Sequence, residues 1–277
     1  MLQNPTASLL QTYMMVRRLS QSMGLDKPPK RSVKTADTIF GIIEYLLETG
    51  GTGVTEIAAS QDLAESTVHS HLATLLNHEY VVKEGTTYRM SLKHLDHGIR
   101  TREELLLTQA GRPVIDELSN DTGEVAWVLV EEHGKAVYLL KSTGEKAVRT
   151  RGRIGKRTSM HDIAAGKAML AHLPESTVED IIGEFGLPER TENTITERDE
   201  LYEELETVRE RGYAVNRGET IRKVRAVASP IIWEDDVCGA VGVAGPKHRM
   251  SGDRFTETLP KKVLEAADTI ELELEYR

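Results

Sequence analysis

The sequence predicts an α+β protein: a small helical head closed by a two-stranded ribbon, a linker helix, and a larger domain built on an antiparallel sheet. Three observations carry that prediction. Residues 54–75 hold two short helical patterns separated by a tight connection. Residues 80–92 alternate as two strands about a glycine turn. From residue 125 onward, apolar strand pairs are interleaved with helical stretches, with helices at both ends of the segment. At 277 residues the chain is long enough for two ordinary domains.

The head is read in chain order. Val33, Ile39, Ile42, Ile43, Leu46 and Leu47 recur at helical spacing and give a first scaffold helix that stops at Gly50-Gly51. Thr55 is read as the cap of the next helix, in which Ala58 and Ala59 are small enough for another helix to lie close. Ser66 or Thr67 is read as the cap of the third, which places Val68, Leu72 and Leu75 on one face and His71 at its edge. The other face shows Thr67, His69, Ser70, Ala73 and Thr74, with no acid among them. Base edges in a major groove are read by short polar groups and methyl contacts, so this surface suits DNA. An ordinary helical hairpin of a small core is the plainer alternative. Asn77-His78-Glu79 ends the helix; Tyr80 to Lys83 reads as a strand, Glu84-Gly85-Thr86 as a turn, and Thr87 to Leu92 as the return strand. A ribbon just after such a helix is a wing, and Lys83 and Arg89 flank its turn, where they can reach phosphates. The head is therefore a winged helix-turn-helix over residues 32–93, close to the smallest size at which a domain folds alone.

The remainder reads as follows. Residues 94–112 form a linker helix, and a helical pattern resumes at Pro113 and runs through Val114 and Leu118 to Asp121-Thr122-Gly123. Val125 to Glu131 and Ala136 to Lys141 form a hairpin about His133-Gly134. Arg149, Arg151, Arg153, Lys156 and Arg157 make a basic stretch. Ile163 to Leu173, Thr177 to Phe185 and Glu197 to Arg211 read as helices. Val224 to Trp233 and Val237 to Ala244 are apolar strands joined at Glu234-Asp235-Asp236, and Gly252 to Glu275 is an amphipathic closing helix. Together these suggest a sensory domain over residues 113–277.

Hydrophobic content of 39% and charged content of 29% describe a globular chain. No run approaches the length of a membrane span, and the first 23 residues lack an apolar core with a cleavage site, so a cytoplasmic location is expected. Met14, Met15 and Met23 are alternative starts. The single cysteine, Cys238, excludes internal disulfides and a cysteine-rich zinc site. Net charge is −9, which is unusual for a DNA binder. Residues 1–36, however, carry Arg17, Arg18, Lys27, Lys30, Arg31 and Lys34 against Asp26 alone, so residues 1–31 read as a basic extension ahead of the head. A solvated tail with incidental charge is the alternative. Arginines outnumber lysines 21 to 14, and with the acidic excess this hints at a salty cytoplasm.

Four spaced words add a family resemblance: Ala164-Ala165-Gly166-Lys167-Ala168-Met169-Leu170-Ala171, Arg211-Gly212-Tyr213-Ala214-Val215-Asn216-Arg217-Gly218-Glu219, Ala228-Ser229-Pro230-Ile231, and Gly239-Ala240-Val241-Gly242-Val243-Ala244-Gly245-Pro246. Over residues 32–277 the chain resembles the IclR family of transcriptional regulators. The resemblance implies an effector-binding domain of GAF-like architecture, dimers or tetramers, and small-metabolite effectors such as carboxylates, sugar acids or aromatic acids. By position it implies an effector site at Met160, Asp162, Ala164, Asn216, Ala226, Gly242 and Ala244. Asn216 stands where some members have aspartate, Ala226 and Gly242 where some have cysteine and serine, and Lys223 where glycine is common.

The residues themselves give a parallel reading. Met160-His161-Asp162 precedes a helix start that attracts anions, and Lys223 and Arg225 add positive charge nearby. Small residues at 226, 242 and 244 leave room for a ligand, or else let the sheet pack tightly on the alanine-rich helix. Gly155-Lys156 and Gly166-Lys167 lack the Ser or Thr of a phosphate loop. Cys238 lies in an apolar strand and reads as a packed thiol, and no close histidine pair supports a metal. The expected protein is a metabolite-responsive regulator without cofactor, metal or catalytic residues. Ser66, Thr67, His69, Ser70 and Thr74 would meet bases or adjacent phosphates of a double-stranded operator; Lys83, Arg89, Arg31 and Lys34 would hold the backbone. An enzyme built on the second domain, or a winged helix used for protein assembly, is the alternative.

Overall fold

The structure, a computed structural model, describes residues 32–148 and 152–277. The basic extension, Arg31 included, and Arg149 and Arg151 lie outside the described residues. The chain divides near residue 102 into two compact units.

In the first unit, α1 (Lys34–Thr49), α2 (Val54–Gln61) and α3 (Glu65–Asn77) are followed by β1 (Val81–Glu84), β2 (Thr87–Met90) and α4 (Lys93–Glu103). Ile42, Leu46, Ile57, Val68, Leu72, Leu75, Val81 and Tyr88 form its core, and full burial of each such apolar side chain is worth ~1.5–3 kcal/mol. Gly50 closes α1 in the left-handed region at φ 73°, as the sequence pattern requires. Two residues of the predicted apolar stripe fall outside the core: Val33 and Leu47 are exposed. The predicted caps also differ. Gly53 precedes α2 and Ala64 precedes α3, neither giving a side-chain cap. The Thr55 hydroxyl instead donates to Glu65 Oε1 at 2.8 Å, tying the starts of the two helices together, and Ser66 and Thr67 lie inside the first turn of α3. The wing has the register Val82↔Arg89 and Lys83↔Tyr88. Thr52 exchanges backbone hydrogen bonds of 2.9 and 2.8 Å with Tyr88, which adds a short third rung from the α1–α2 loop.

The predicted single linker helix over 94–112 is two helices, because α4 ends at Glu103 and α5 (Leu106–Thr122) begins three residues later. Pro113 does not begin a helix; it sits inside α5. The carbonyl it leaves without a helical donor belongs to Gln109, and both residues are on the exposed side, where solvent can serve.

The second unit adds β3 (Val125–Glu132), β4 (Lys135–Thr143), β5 (Arg157–Thr158), α6 (Ala164–Leu170), α7 (Glu175–Phe185), α8 (Arg198–Arg211), β6 (Ala214–Asn216), β7 (Val224–Trp233), β8 (Asp236–Pro246), a π-helical turn (Arg254–Thr258) and α9 (Leu259–Glu275). Its sheet has the order β5-β4-β3-β8-β7-β6, antiparallel throughout. His133 and Gly134, at φ 51° and 70°, make the two-residue turn of the β3–β4 hairpin, and both left-handed angles match the type I′ geometry that follows strand twist. Period-two alternation divides the strands between two cores. Ala126 and Val128 pack with Ile115 and Leu118 of α5 and Val263 and Ile270 of α9 on one face. Val125, Trp127 and Leu129 point to the other, with Ala168 and Met169 of α6 and Leu201 and Leu205 of α8. β5 and β6, of two and three residues, were not expected from the sequence. α6 is also shorter than predicted, ending at Leu170 rather than Leu173.

Candidate DNA interface and ligand cavity

Leu72 and its neighbours fix α3 against the head, so its opposite face is set by periodicity alone. Ser66, Thr67, His69, Ser70, Ala73 and Thr74 are all exposed, and His71 is half-buried at the edge. Ser70 Oγ and Thr74 Oγ1 each donate to the carbonyl one turn earlier at 3.0 Å, which fixes their rotamers and leaves oxygen lone pairs facing out. Glu65 is the nearest acid on the helix and is engaged with Thr55. The head as a whole is net acidic: residues 32–93 hold four lysines and arginines against eight acids.

On the wing, Lys83 is exposed with its ammonium 5.2 Å from the Tyr88 ring. Arg89 donates through Nε to Glu84 Oε1 at 2.8 Å. This bond holds the Glu84 carboxyl below its ordinary range and the Arg89 guanidinium above its own. Arg89 is thus paired within the wing, whereas Lys34, at the first turn of α1, is exposed.

The second unit holds a cavity of about 600 Å³, open on one side, between the sheet and α6. Strand register builds its floor. Trp127 and Ala228 both face Gly242, while Ala226 faces Ala244, so small residues from β7 and β8 lie beside the Trp127 indole. Of the residues expected at an effector site, Ala164, Asn216, Ala226, Gly242 and Ala244 line this cavity; Met160 and Asp162 do not. Met160 is buried in the core beneath α6. Asp162 contributes its backbone: its carbonyl accepts from Asn216 Nδ2 at 2.6 Å and from Thr220 Oγ1 at 2.5 Å. Its side chain is 1% exposed and 3.8 Å from the Arg190 guanidinium, and burial pushes its carboxyl above the ordinary carboxylate range. Burial pushes the adjacent His161 imidazole downward. Arg225 is drawn away from the cavity, donating to the Met250 carbonyl at 2.9 Å with its guanidinium over Phe255.

Gly242 is close-packed: a Cβ there would lie 2.6 Å from the Val227 carbonyl oxygen. The small residues thus serve both packing and space, with glycine at the tightest strand contact and Ala226 and Ala244 at the cavity. Sequence reasoning missed Trp127 and Tyr138, whose rings meet edge to face at 4.8 Å on the cavity wall, and Lys156 and Ile221. Burial raises the Tyr138 phenol above its usual value. It also missed the buried Lys167–Glu219 pair beside the site, with Nζ 2.8 Å from Oε2 and Glu204 3.4 Å away. Cys238 is buried and donates to the Ile231 carbonyl at 3.3 Å. Among the described residues no cluster of metal ligands and no helix long and apolar enough to cross a membrane is found.

A winged helix whose third helix exposes an acid-free face, joined to a sheet domain holding a cavity, defines a ligand-responsive DNA-binding regulator. Comparisons agree. Family models described as "Bacterial transcriptional regulator IclR C-terminal" and "IclR helix-turn-helix domain" match residues 101–272 and 35–85. The chain is 34% identical over 252 residues to the probable HTH-type transcriptional regulator ArcR of Halobacterium salinarum, covering 89% of this chain and 95% of that one. It is 30% identical over 236 residues to the HTH-type transcriptional regulator KdgR of Escherichia coli, covering 84% and 89%. A solved IclR homolog of Microbacterium hydrocarbonoxydans, complexed with 4-hydroxybenzoate, shares the fold with a TM-score of 0.74 at 21% identity, covering 86% and 100%. The chain belongs to the IclR family and is a DNA-binding transcriptional regulator modulated by a small-molecule effector. The halophile relative accords with the acidic, arginine-weighted composition.

Proposed function

We propose that the head reads operator DNA through Ser66, Thr67, His69, Ser70 and Thr74, that Lys34, Lys83, Arg89 and the basic extension with Arg31 hold phosphates, and that the effector occupies the cavity floored by Ala226, Gly242 and Ala244 with Ala164 and Asn216 on its wall. Met160 and Asp162 act by shaping the loop before α6. The observation that carries this reading is the exposed, acid-free face of α3. Binding is the task of the second domain, catalysis is not, and the protein works in the cytoplasm. A carboxylate fits the positive rim supplied by Lys156 and Lys223, and the 4-hydroxybenzoate of the homolog is one such acid.

The protein acts as a homodimer, alone or paired into a tetramer. Supporting this, Leu95 and Ile99 are exposed on α4 with Leu92 just before it, and Phe40 and Leu47 are exposed on α1, surfaces that a second copy would cover. Two heads then meet half-sites about one helical turn apart. Selection of bound fragments from genomic DNA, followed by anisotropy titrations, tests the reading. His69→Ala should lower the ratio of operator to random-DNA affinity. Lys83→Ala should weaken both alike and flatten the salt slope by about one. An unchanged ratio for His69→Ala places the wrong face of α3 on the bases. Ala226→Leu should abolish the effector response with DNA binding kept.

A further inference from the structure

We propose that Arg217 and Arg225 form a binding site for a phosphate group, free or carried on a small ester, on the face of the sheet opposite the cavity.

Alternation along β7 sets the side. Ala226 and Ala228 pack towards α6, whereas Val227 packs with Val263 and Ile270 of α9. Arg225 shares the α9 side with Val227. There the π-helical turn supplies the buried Phe255. The Arg225 guanidinium lies 4.9 Å from the centre of its ring, and the Arg217 guanidinium 5.3 Å from the same point. One aromatic ring thus holds two positive charges in place, and its carbon surface keeps water from their inner sides.

Charge balance around the ring is the ground for a ligand. The nearby buried carboxylate is Glu124, which lies over Gly245, the β8 partner of Arg225; a Cβ on Gly245 would be 2.5 Å from Glu124 Oε2. Arg249 already takes both Glu124 oxygens, at 2.8 and 2.6 Å, and Arg254 stands 3.6 Å away. Four guanidiniums therefore meet one carboxylate. Asp253, on the adjoining turn, is exposed and pairs with neither Arg217 nor Arg225, and these two make no ion pair among the described residues. Arg225 donates to the Met250 carbonyl at 2.9 Å and leaves its buried Nε without an acceptor. The chain carries a net charge of −9, and other arginines of this domain do find acids, as Arg157 finds Glu132 and Arg222 finds Glu192, each at 2.6 Å.

A guanidinium offers its donors as a planar fork that takes two oxygens at once. Two forks on one ring are complemented by a tetrahedral dianion, which has oxygens for both; a carboxylate has oxygens for one. The two charges are gathered at a point rather than spaced along a ridge, which suits a single phosphate group rather than a nucleic-acid backbone.

The test is calorimetric titration of the full chain at fixed ionic strength with inorganic phosphate, glycerol 3-phosphate and acetate. At least one phosphate should bind about tenfold or more tightly than acetate. A tighter ester identifies a phosphorylated metabolite as the occupant and a tighter inorganic ion identifies free phosphate; either ranking upholds the site. Arg217→Ala, a change at an exposed residue, should weaken the better ligand about tenfold, and Arg225→Lys, which keeps the charge and removes the fork, should weaken it as well. Lys261→Ala, an exposed cation further along α9, and Ala226→Leu, in the cavity, should leave the affinity unchanged. Phosphate binding that is lost in Ala226→Leu and kept in Arg217→Ala places the anion in the cavity and overturns the proposal. So does binding indifferent to both arginines, or no binding by either phosphate. Should both phosphates fail while Arg217→Ala weakens binding of random duplex DNA, the arginines serve the DNA backbone and the proposal falls.

Discussion

A methyl group added at Gly166 would sit 2.5 Å from the Met160 Cα and 2.7 Å from the Met160 carbonyl carbon, and closer still to the carbonyl oxygen. Ordinary contact begins near 3.4 Å, so the two backbones must separate by about 0.9 Å. Neither neighbour is a side chain that can rotate aside. Every residue of α6 is buried, and the helix packs against β6, β7, β8 and α8, so the displacement is shared by the whole layer. Overpacking of this kind costs ~1–3 kcal/mol, which for a domain of this size is a loss of roughly 2–12 °C in melting temperature. Because Ala164 and Ala165 line the cavity, ligand-dependent stabilisation should fall as well, while DNA affinity, a property of the separate head, is kept. Scanning calorimetry of Gly166→Ala measures the loss. Gly183→Ala is the control: it lies on the exposed face of α7 with nothing within 4 Å of the new Cβ, and removing helical glycine should stabilise by ~0.5–1 kcal/mol. A Gly166→Ala melting point within about 1 °C of the parent refutes the close approach on which the cavity wall depends.

Four further outcomes follow from the charges. Lys167→Met leaves Glu219 buried without its cation and should cost ~3–5 kcal/mol, whereas adding Glu219→Leu should restore much of it; chemical denaturation of the single and double variants shows whether the pair is coupled. Burial lowers the folded pKa of His161 below the ordinary 6.5, so its neutral form contributes stability above that value that is lost as pH falls through the folded pKa. Stability should therefore drop as pH falls below the ordinary 6.5, and His161→Gln should shrink the drop; identical profiles would refute this. Asp162 works in the opposite sense, since its raised pKa gives stability below the ordinary 3.8 that is lost as pH rises through the folded value, and Asp162→Asn should be the more stable protein near neutrality. On the wing, Glu84→Ala frees Arg89 for phosphate, and the salt slope of DNA binding should steepen by up to about one, a change that anisotropy titrations across salt would detect.

What was legible in the sequence was what periodicity and local turns decide. Val68, Leu72 and Leu75 are spaced for one helix face and are buried; Gly50 and His133-Gly134 sit where left-handed backbone is needed. What was illegible depends on partners far along the chain. Thr55 looks like a cap until Glu65, ten residues on, takes its hydroxyl. β6 is three residues long and becomes a strand because Ala226–Ala228 pair with it. Nothing in the local sequence marks Lys167 as a core residue, and Glu219, 52 positions away, makes it one. The same division governs the candidate site. The small residues of β7 and β8 are visible as a composition, but which of them share a wall with Trp127 is a matter of register, Trp127↔Gly242 and Ala228↔Gly242, that no local pattern encodes. Asn216 looks available for a ligand in the sequence, and it is its bond to the Asp162 carbonyl, 54 residues away, that withdraws its amide.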